Sequence, residues 1–230
     1  MERSTKRVLL VVVLAVATAI FVGAIVFERL DRLQVPVDNG RIAAVGDSIT
    51  FGEGVDPRER EQQSYPGQLQ DLLGAHNEVL NYGYIGATLL DTGDTPYKRT
   101  DAYAASLESE PSTVLVMLGT NDSKPQNWDA RAFEQQLEEL VALYRLLPSQ
   151  PTVYLMTPPA AYENGARIRP EVIEDEIAPI ISRVGQKTGA PVIDVHAATD
   201  GHPDYLPDGV HPDREGAAVI AATVRDAMRS

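Results

Sequence analysis

No cysteine occurs anywhere in the 230 residues, which excludes disulfides, thiolate metal sites and lipid attachment through cysteine. The fold must therefore be held by its apolar core alone. Basic residues are the second shortage, 20 Lys and Arg against 33 Asp and Glu. Three of the acidic and four of the basic residues fall in the first 31, which leaves 30 and 16 beyond them and a net charge of −14. Such a surface repels nucleic-acid phosphates and anionic lipid, so binding through a basic, phosphate-tracking face is excluded. Tryptophan occurs once, at Trp128, and there is neither an internal repeat nor a low-complexity tract.

One long apolar run is present. Val8 to Phe27 carries no charge, with Arg3, Lys6 and Arg7 before it and Glu28, Arg29, Asp31 and Arg32 after it. At about 1.5 Å per residue, twenty helical residues span the roughly 30 Å hydrocarbon core of a bilayer. Small-residue cleavage sites, Ala15-Val16-Ala17 and Ala17-Thr18-Ala19, lie inside the run, and cutting there would leave apolar residues on the new N-terminus. The expectation is an uncleaved signal anchor and cytoplasmic stub over residues 1–31, with the remainder outside the cytoplasm. Cleavage would instead make the protein secreted. Gln34-Val35-Pro36-Val37-Asp38-Asn39-Gly40 has the punctuation of a linker, taken as 32–40, before a single domain over 41–230.

From Arg41 on, short β-rich runs alternate with amphipathic stretches. Strands are expected at Ile42 to Val45, Glu78 to Asn81, Thr113 to Leu118, Thr152 to Met156 and Pro191 to Val195, as the near-continuous apolar runs that parallel sheets bury on both faces. Helices are expected at Tyr65 to Leu73, Ala102 to Leu107, Ala130 to Leu147, Glu171 to Lys187 and Pro212 to Met228. In the third of these, Phe133, Leu137, Leu140, Val141 and Tyr144 recur at three- and four-residue spacing, with Glu134, Glu138 and Glu139 opposite. Five alternations imply an α/β domain, a three-layer open sheet of about five parallel strands in flavodoxin-like fashion. Ligands of such sheets bind at the carboxyl ends of the strands.

Four of the loops at those ends carry chemistry. Gly46-Asp47-Ser48-Ile49-Thr50 follows the first strand, and Tyr82-Gly83-Tyr84-Ile85-Gly86-Ala87-Thr88 follows the second. Gly119-Thr120-Asn121-Asp122 follows the third, and Asp208-Gly209-Val210-His211-Pro212 precedes the last helix. A serine hydroxyl is a weak nucleophile near neutral pH. It needs an imidazole to take its proton and a carboxylate to hold the imidazole in the right tautomer. Ser48, His211 and Asp208 are of those types, and the spacing of three lets the carboxylate reach the ring nitrogen facing away from the serine.

In order and spacing these stretches resemble the signature blocks of the SGNH hydrolase superfamily, the GDSL esterases and lipases, over the whole length from about Arg41. The resemblance implies Ser48 as nucleophile, His211 as general base and Asp208 as its orienting partner. It implies an oxyanion hole made of the Ser48 and Gly86 backbone N–H groups and the Asn121 side-chain amide. Gly83 is the rival for the glycine role; Gly86 is preferred for lying five residues after Asn81 and two before Thr88. The first block departs from the family pattern in having Ile49 where many members have leucine. Gly119 to Trp128, Ser64-Tyr65-Pro66 and Gly86-Ala87-Thr88-Leu89-Leu90 resemble more narrowly the bacterial sialate O-acetylesterase-like branch. The function implied is removal of short acyl groups, acetyl above all, from carbohydrate through an acyl-enzyme, with no metal or organic cofactor. Alternatives are a lysophospholipase or thioesterase of the same superfamily and a glycan-binding protein that has lost the reaction.

Lys124, Trp128 and Tyr162, on strand-end loops, are candidate substrate contacts, each equally able to be a packing or surface residue. His196 and His202, with Asp194, Asp200 and Asp204 nearby, lack helix-face spacing such as His-Glu-x-x-His and are expected to be loop residues rather than metal ligands. Asp47 and Asp122 are expected to bond loop backbone rather than do chemistry.

Overall fold

The computed structural model describes residues 40–229. The anchor helix expected over residues 8–27, its cytoplasmic stub and most of the linker lie outside the described residues. Among those described, no helix is long and apolar enough to cross a membrane.

Five parallel strands make one sheet: β1 (Arg41–Gly46), β2 (Glu78–Gly83), β3 (Thr113–Met117), β4 (Thr152–Met156) and β5 (Val192–Ile193). Their order is β2-β1-β3-β4-β5. The order reverses at β1, so the chain leaves β1 and β3 on opposite sides of a crevice, the switch point where open parallel sheets hold ligands. In register, Val45 pairs with both Tyr82 and Val116, which brings the carboxyl ends of β1, β2 and β3 level.

The helices are α1 (Ser48–Phe51), α2 (Arg60–Gln63), α3 (Tyr65–Leu73), α4 (Asp101–Glu108), α5 (Ala130–Arg145), α6 (Pro170–Val172), α7 (Ala178–Thr188), α8 (Val195–Thr199) and α9 (Arg214–Met228). Strand periodicity sorts the core into two layers. Ala43, Val45, Val114, Val116, Val153 and Leu155 face Phe133, Leu137 and Leu140 of α5 and Ile180, Ile181 and Val184 of α7. The alternate residues Ile42, Ala44, Leu115, Met117 and Met156 face Tyr65 and Leu69 of α3 and Ile220, Ala221 and Val224 of α9. The three-layer expectation holds, and the apolar stripe read from α5 is the face it buries.

The boundaries differ in instructive places. The expected fifth strand is only Val192–Ile193, because Asp194 caps a helix beginning at Val195, its carboxylate accepting the Ala197 N–H. The expected helix from Glu171 is interrupted by a π turn over Ile173–Ile177, where the Ala178 N–H reaches the Ile173 carbonyl. Pro179, next in the chain, has no N–H with which to continue the regular pattern. The last helix begins at Arg214 and not at Pro212. Asp213 takes the cap, accepting from the Glu215 and Gly216 N–H groups, and so leaves His211 and Pro212 in a loop.

Leu140 is fully buried between α5 and the sheet, whereas Leu146 just beyond the same helix is 80% exposed. Leu140→Ala is therefore expected to lower unfolding free energy by about 2–5 kcal/mol. Leu146→Ala should change it by less than about 0.5 kcal/mol, both read by urea denaturation.

Candidate active site

Each functional side chain is delivered by a sharp change of direction at the end of a strand. After β1, Asp47 caps α1, its carboxylate accepting the Ile49 N–H at 2.9 Å, so that Ser48 opens the helix. The N–H of a first helical residue has no acceptor within its helix. Space forces the rest: a Cβ on Gly46 would lie 2.1 Å from Thr50 Oγ1 and 2.7 Å from the Met117 carbonyl, and only glycine permits so tight a turn.

The Asp208 loop supplies the other two groups. Asp208 Oδ1 accepts the N–H groups of Val210 and His211 at 2.9 and 2.7 Å, which fixes the carboxylate against its own loop. Its Oδ2 lies 2.6 Å from His211 Nδ1, and His211 Nε2 lies 2.9 Å from Ser48 Oγ. Burial by itself would raise the Asp208 pKa, but the hydrogen bonds from the His211 backbone and ring and from Val210 outweigh it and hold the carboxyl below its ordinary value. A carboxylate on Nδ1 assigns the proton there and leaves Nε2 to accept from the serine. The three residues named from sequence thus form one hydrogen-bonded line.

Asn121 opens the 3-10 turn Asn121–Ser123 after β3 and is buried. One of its amide hydrogens goes to the Ala87 carbonyl at 3.2 Å, which sets the amide beside the loop that carries Gly86. The two rival glycines have different duties. A Cβ on Gly83 would meet the Phe51 nitrogen at 2.1 Å, so Gly83 is required for packing β2 against α1. Gly86 has φ +77° and open space around it, with Thr95 Oγ1 the nearest atom a Cβ would meet, at 3.8 Å. Its N–H makes no hydrogen bond among the described residues.

Asp122 clamps the second and third loops together. Fully buried, it accepts the Leu89 N–H on Oδ2 at 3.0 Å and the Leu90 N–H on Oδ1 at 2.8 Å. Asp47 and Asp122 thus bond loop backbone as expected. Burial, opposed by these backbone bonds, pushes Asp47 up to about 6 and Asp122 up to about 7.

The candidate substrate contacts fare unequally. Trp128 packs on Phe133 with ring centroids 5.4 Å apart, and its Nε1–H donates to Glu176 at 3.0 Å. Tyr162 straps loops together: its hydroxyl donates to the Thr199 carbonyl and accepts the His202 N–H, and its own N–H donates to Gly209 beside Asp208. Lys124 is half-buried, with no ion pair or hydrogen bond to its amine among the described residues. His202 stacks on Tyr205, and among the described residues no cluster of three His, Asp or Glu side chains is arranged to hold a metal. Three residues at the site were given no individual role by the sequence reading, although Tyr84 and Ile85 lie in one of its loops. Glu53 Oε2 lies 3.4 Å from His211 Nε2. Tyr84 and Ile85, just before Gly86, are 38% and 48% exposed. Glycines on both sides of Glu53 are its only sequence signal.

A carboxyl whose pKa is raised by folding holds its proton more tightly folded than unfolded, so it makes stability fall as pH climbs from the ordinary carboxylate value to its folded pKa. For Asp122 that window runs from 3.8 to about 7. Asp122→Asn is expected to show a shallower decline across that window than the wild type, in urea unfolding at a series of pH values. Because asparagine has one acceptor oxygen for two N–H donors, the variant should also lose about 1–3 kcal/mol at low pH.

The model of the GDSL-like Lipase/Acylhydrolase family matches residues 44–219, which contain every candidate just described. An acetylxylan esterase of Xylanibacter ruminicola is 36% identical over 220 residues, covering 87% of this chain; the chain spans only 45% of that protein's length. Among solved structures, a carbohydrate acetylesterase family member from Sinorhizobium meliloti has a TM-score of 0.67 at 23% identity, a likeness of fold, covering 82% of this chain and 97% of the other. A lipase/acylhydrolase from Enterococcus faecalis gives 0.63 at 26% identity, covering 82% and 96%. With this fold and a family match across most of its length, the chain belongs to the GDSL-like Lipase/Acylhydrolase family.

Proposed function

We propose that the protein is a serine esterase that removes acetyl groups from carbohydrate. The observation that carries this is the continuous line Asp208 Oδ2 to His211 Nδ1 at 2.6 Å and His211 Nε2 to Ser48 Oγ at 2.9 Å. In this reading His211 takes the serine proton as Ser48 Oγ attacks the ester carbonyl. The tetrahedral oxyanion is held by the N–H groups of Ser48 and Gly86 and the remaining amide hydrogen of Asn121. The alcohol departs with the proton from His211 Nε2, and water repeats the cycle on the acyl-serine to release the acid. Asp208 stays ionised throughout and stabilises the imidazolium. Carbohydrate as the acyl carrier is supported by the 36% identity to an acetylxylan esterase.

A second reading, cleavage of long-chain esters, draws on the exposed Tyr84 and Ile85 beside Gly86, which offer apolar surface at the candidate oxyanion loop. The uncharged run of residues 8–27, flanked by basic residues on its N-terminal side, supports a further part of the proposal: the enzyme is held in a membrane with its catalytic domain outside the cytoplasm.

The test is hydrolysis of p-nitrophenyl acetate and p-nitrophenyl decanoate by the full-length chain. Acetate is expected to be the better substrate; a decanoate preference would favour the second reading. Ser48→Ala should lose on the order of 10⁴-fold or more in kcat. A variant as active as the wild type would refute the mechanism. Asn121→Ala, which removes one oxyanion donor, should lose on the order of 10²-fold to 10³-fold in kcat.

A further inference from the structure

We propose that Glu53 is a specificity residue that accepts a hydrogen bond from a free hydroxyl next to the ester being cut, so that the site selects neutral polyhydroxylated alcohols as leaving groups. The inference rests on the esterase reading above and names the chemistry of its alcohol side.

The position of Glu53 is built, not incidental. Its N–H donates to the Ser48 carbonyl at 3.0 Å, tying it to the nucleophile turn. Gly52 before it has φ +91°, a conformation side chains disfavour, and the Gly52 carbonyl accepts from Arg60 Nε at 3.2 Å. Gly54 after it presses on the histidine loop, where an added Cβ would stand 2.2 Å from the Pro212 carbonyl. The backbone on both sides is therefore clamped between the serine turn and the histidine loop, and the side chain is 41% exposed at their junction. Its carboxylate touches His211 Nε2 at 3.4 Å and makes no other ion pair or hydrogen bond among the described residues.

His211 Nε2 is the atom that hands its proton to the departing alcohol, so the ester oxygen must come within hydrogen-bond reach of it. A hydroxyl on the neighbouring carbon lies about one hydrogen-bond length from that oxygen. The space one step beyond Nε2, on the side away from Asp208, is where Glu53 Oε2 already stands. A carboxylate there can only accept, so it binds an alcohol hydroxyl and has nothing to offer an aryl or alkyl leaving group. By charge it also disfavours an alcohol that carries a carboxylate or phosphate. The partner is thus a partly acetylated neutral sugar with a free hydroxyl beside the ester.

The experiment uses the full-length chain and two matched esters. One is a methyl xyloside with a single acetyl ester beside a free hydroxyl; the other is the same ester with its hydroxyls methylated. The wild type is expected to favour the hydroxylated ester in kcat/KM by on the order of tenfold, a charge-assisted hydrogen bond's worth. Glu53→Ala should bring the ratio close to one, and Glu53→Gln, whose amide oxygen still accepts, should keep part of it. General loss of folding or of catalysis scales both rates and cancels in the ratio. A wild-type ratio near one, or a ratio unchanged in Glu53→Ala, overturns the role of Glu53 while leaving the esterase reading intact. Failure of the wild type on both esters and on p-nitrophenyl acetate overturns the esterase reading and this inference with it.

Discussion

A carboxylate, an imidazole and a hydroxyl can line up only if residue 48 and residue 211 are brought within 2.9 Å across 163 positions of sequence. That distance constrains most of what surrounds it. The first strand must end in the crevice, which the order β2-β1-β3-β4-β5 achieves by reversing direction at β1. The last helix must not begin too soon, and the cap at Asp213 stops it two residues past His211. Asp208 in turn accepts two backbone N–H groups from the loop it belongs to, so the carboxylate that orients the histidine is itself oriented.

Around that line the loops are joined by polar groups buried in the interior. Asp122 lies beside Asn121 and reaches the same loop a little further on, accepting from Leu89 and Leu90. The two adjacent residues therefore grip one loop at two places, Ala87 through the asparagine and residues 89 and 90 through the aspartate. The arrangement carries a cost, since both Asp47 and Asp122 are held where ionisation is disfavoured. Sites that need preorganised donors commonly accept such a cost, because a donor already in place need not reorganise during the reaction.

The glycines mark the same economy of space. Gly46, Gly54 and Gly83 are each at a point where backbone meets backbone or side chain too closely for a Cβ, while Gly86 is in open space and needs only its positive φ. The first three hold the serine turn, the histidine loop and β2 together; the last leaves an N–H without a hydrogen bond among the described residues.

Sequence alone determined the alternation of strand and helix, the parallel three-layer class, and the residue types able to do the chemistry, because apolar periodicity and short strand-end motifs are local properties. It placed β4 and α3 at their observed bounds and found the apolar face of α5. It could not place the start of α8 or α9, since both depend on whether an aspartate side chain turns back to its own backbone, nor the π turn before Pro179. Only the tertiary structure joined Trp128 to Glu176, made Tyr162 a strap, set Gly83 against Phe51, and brought Glu53 to His211. Those relations join residues far apart in the sequence, and their distances are fixed by how the elements pack on the sheet rather than by any spacing along the chain.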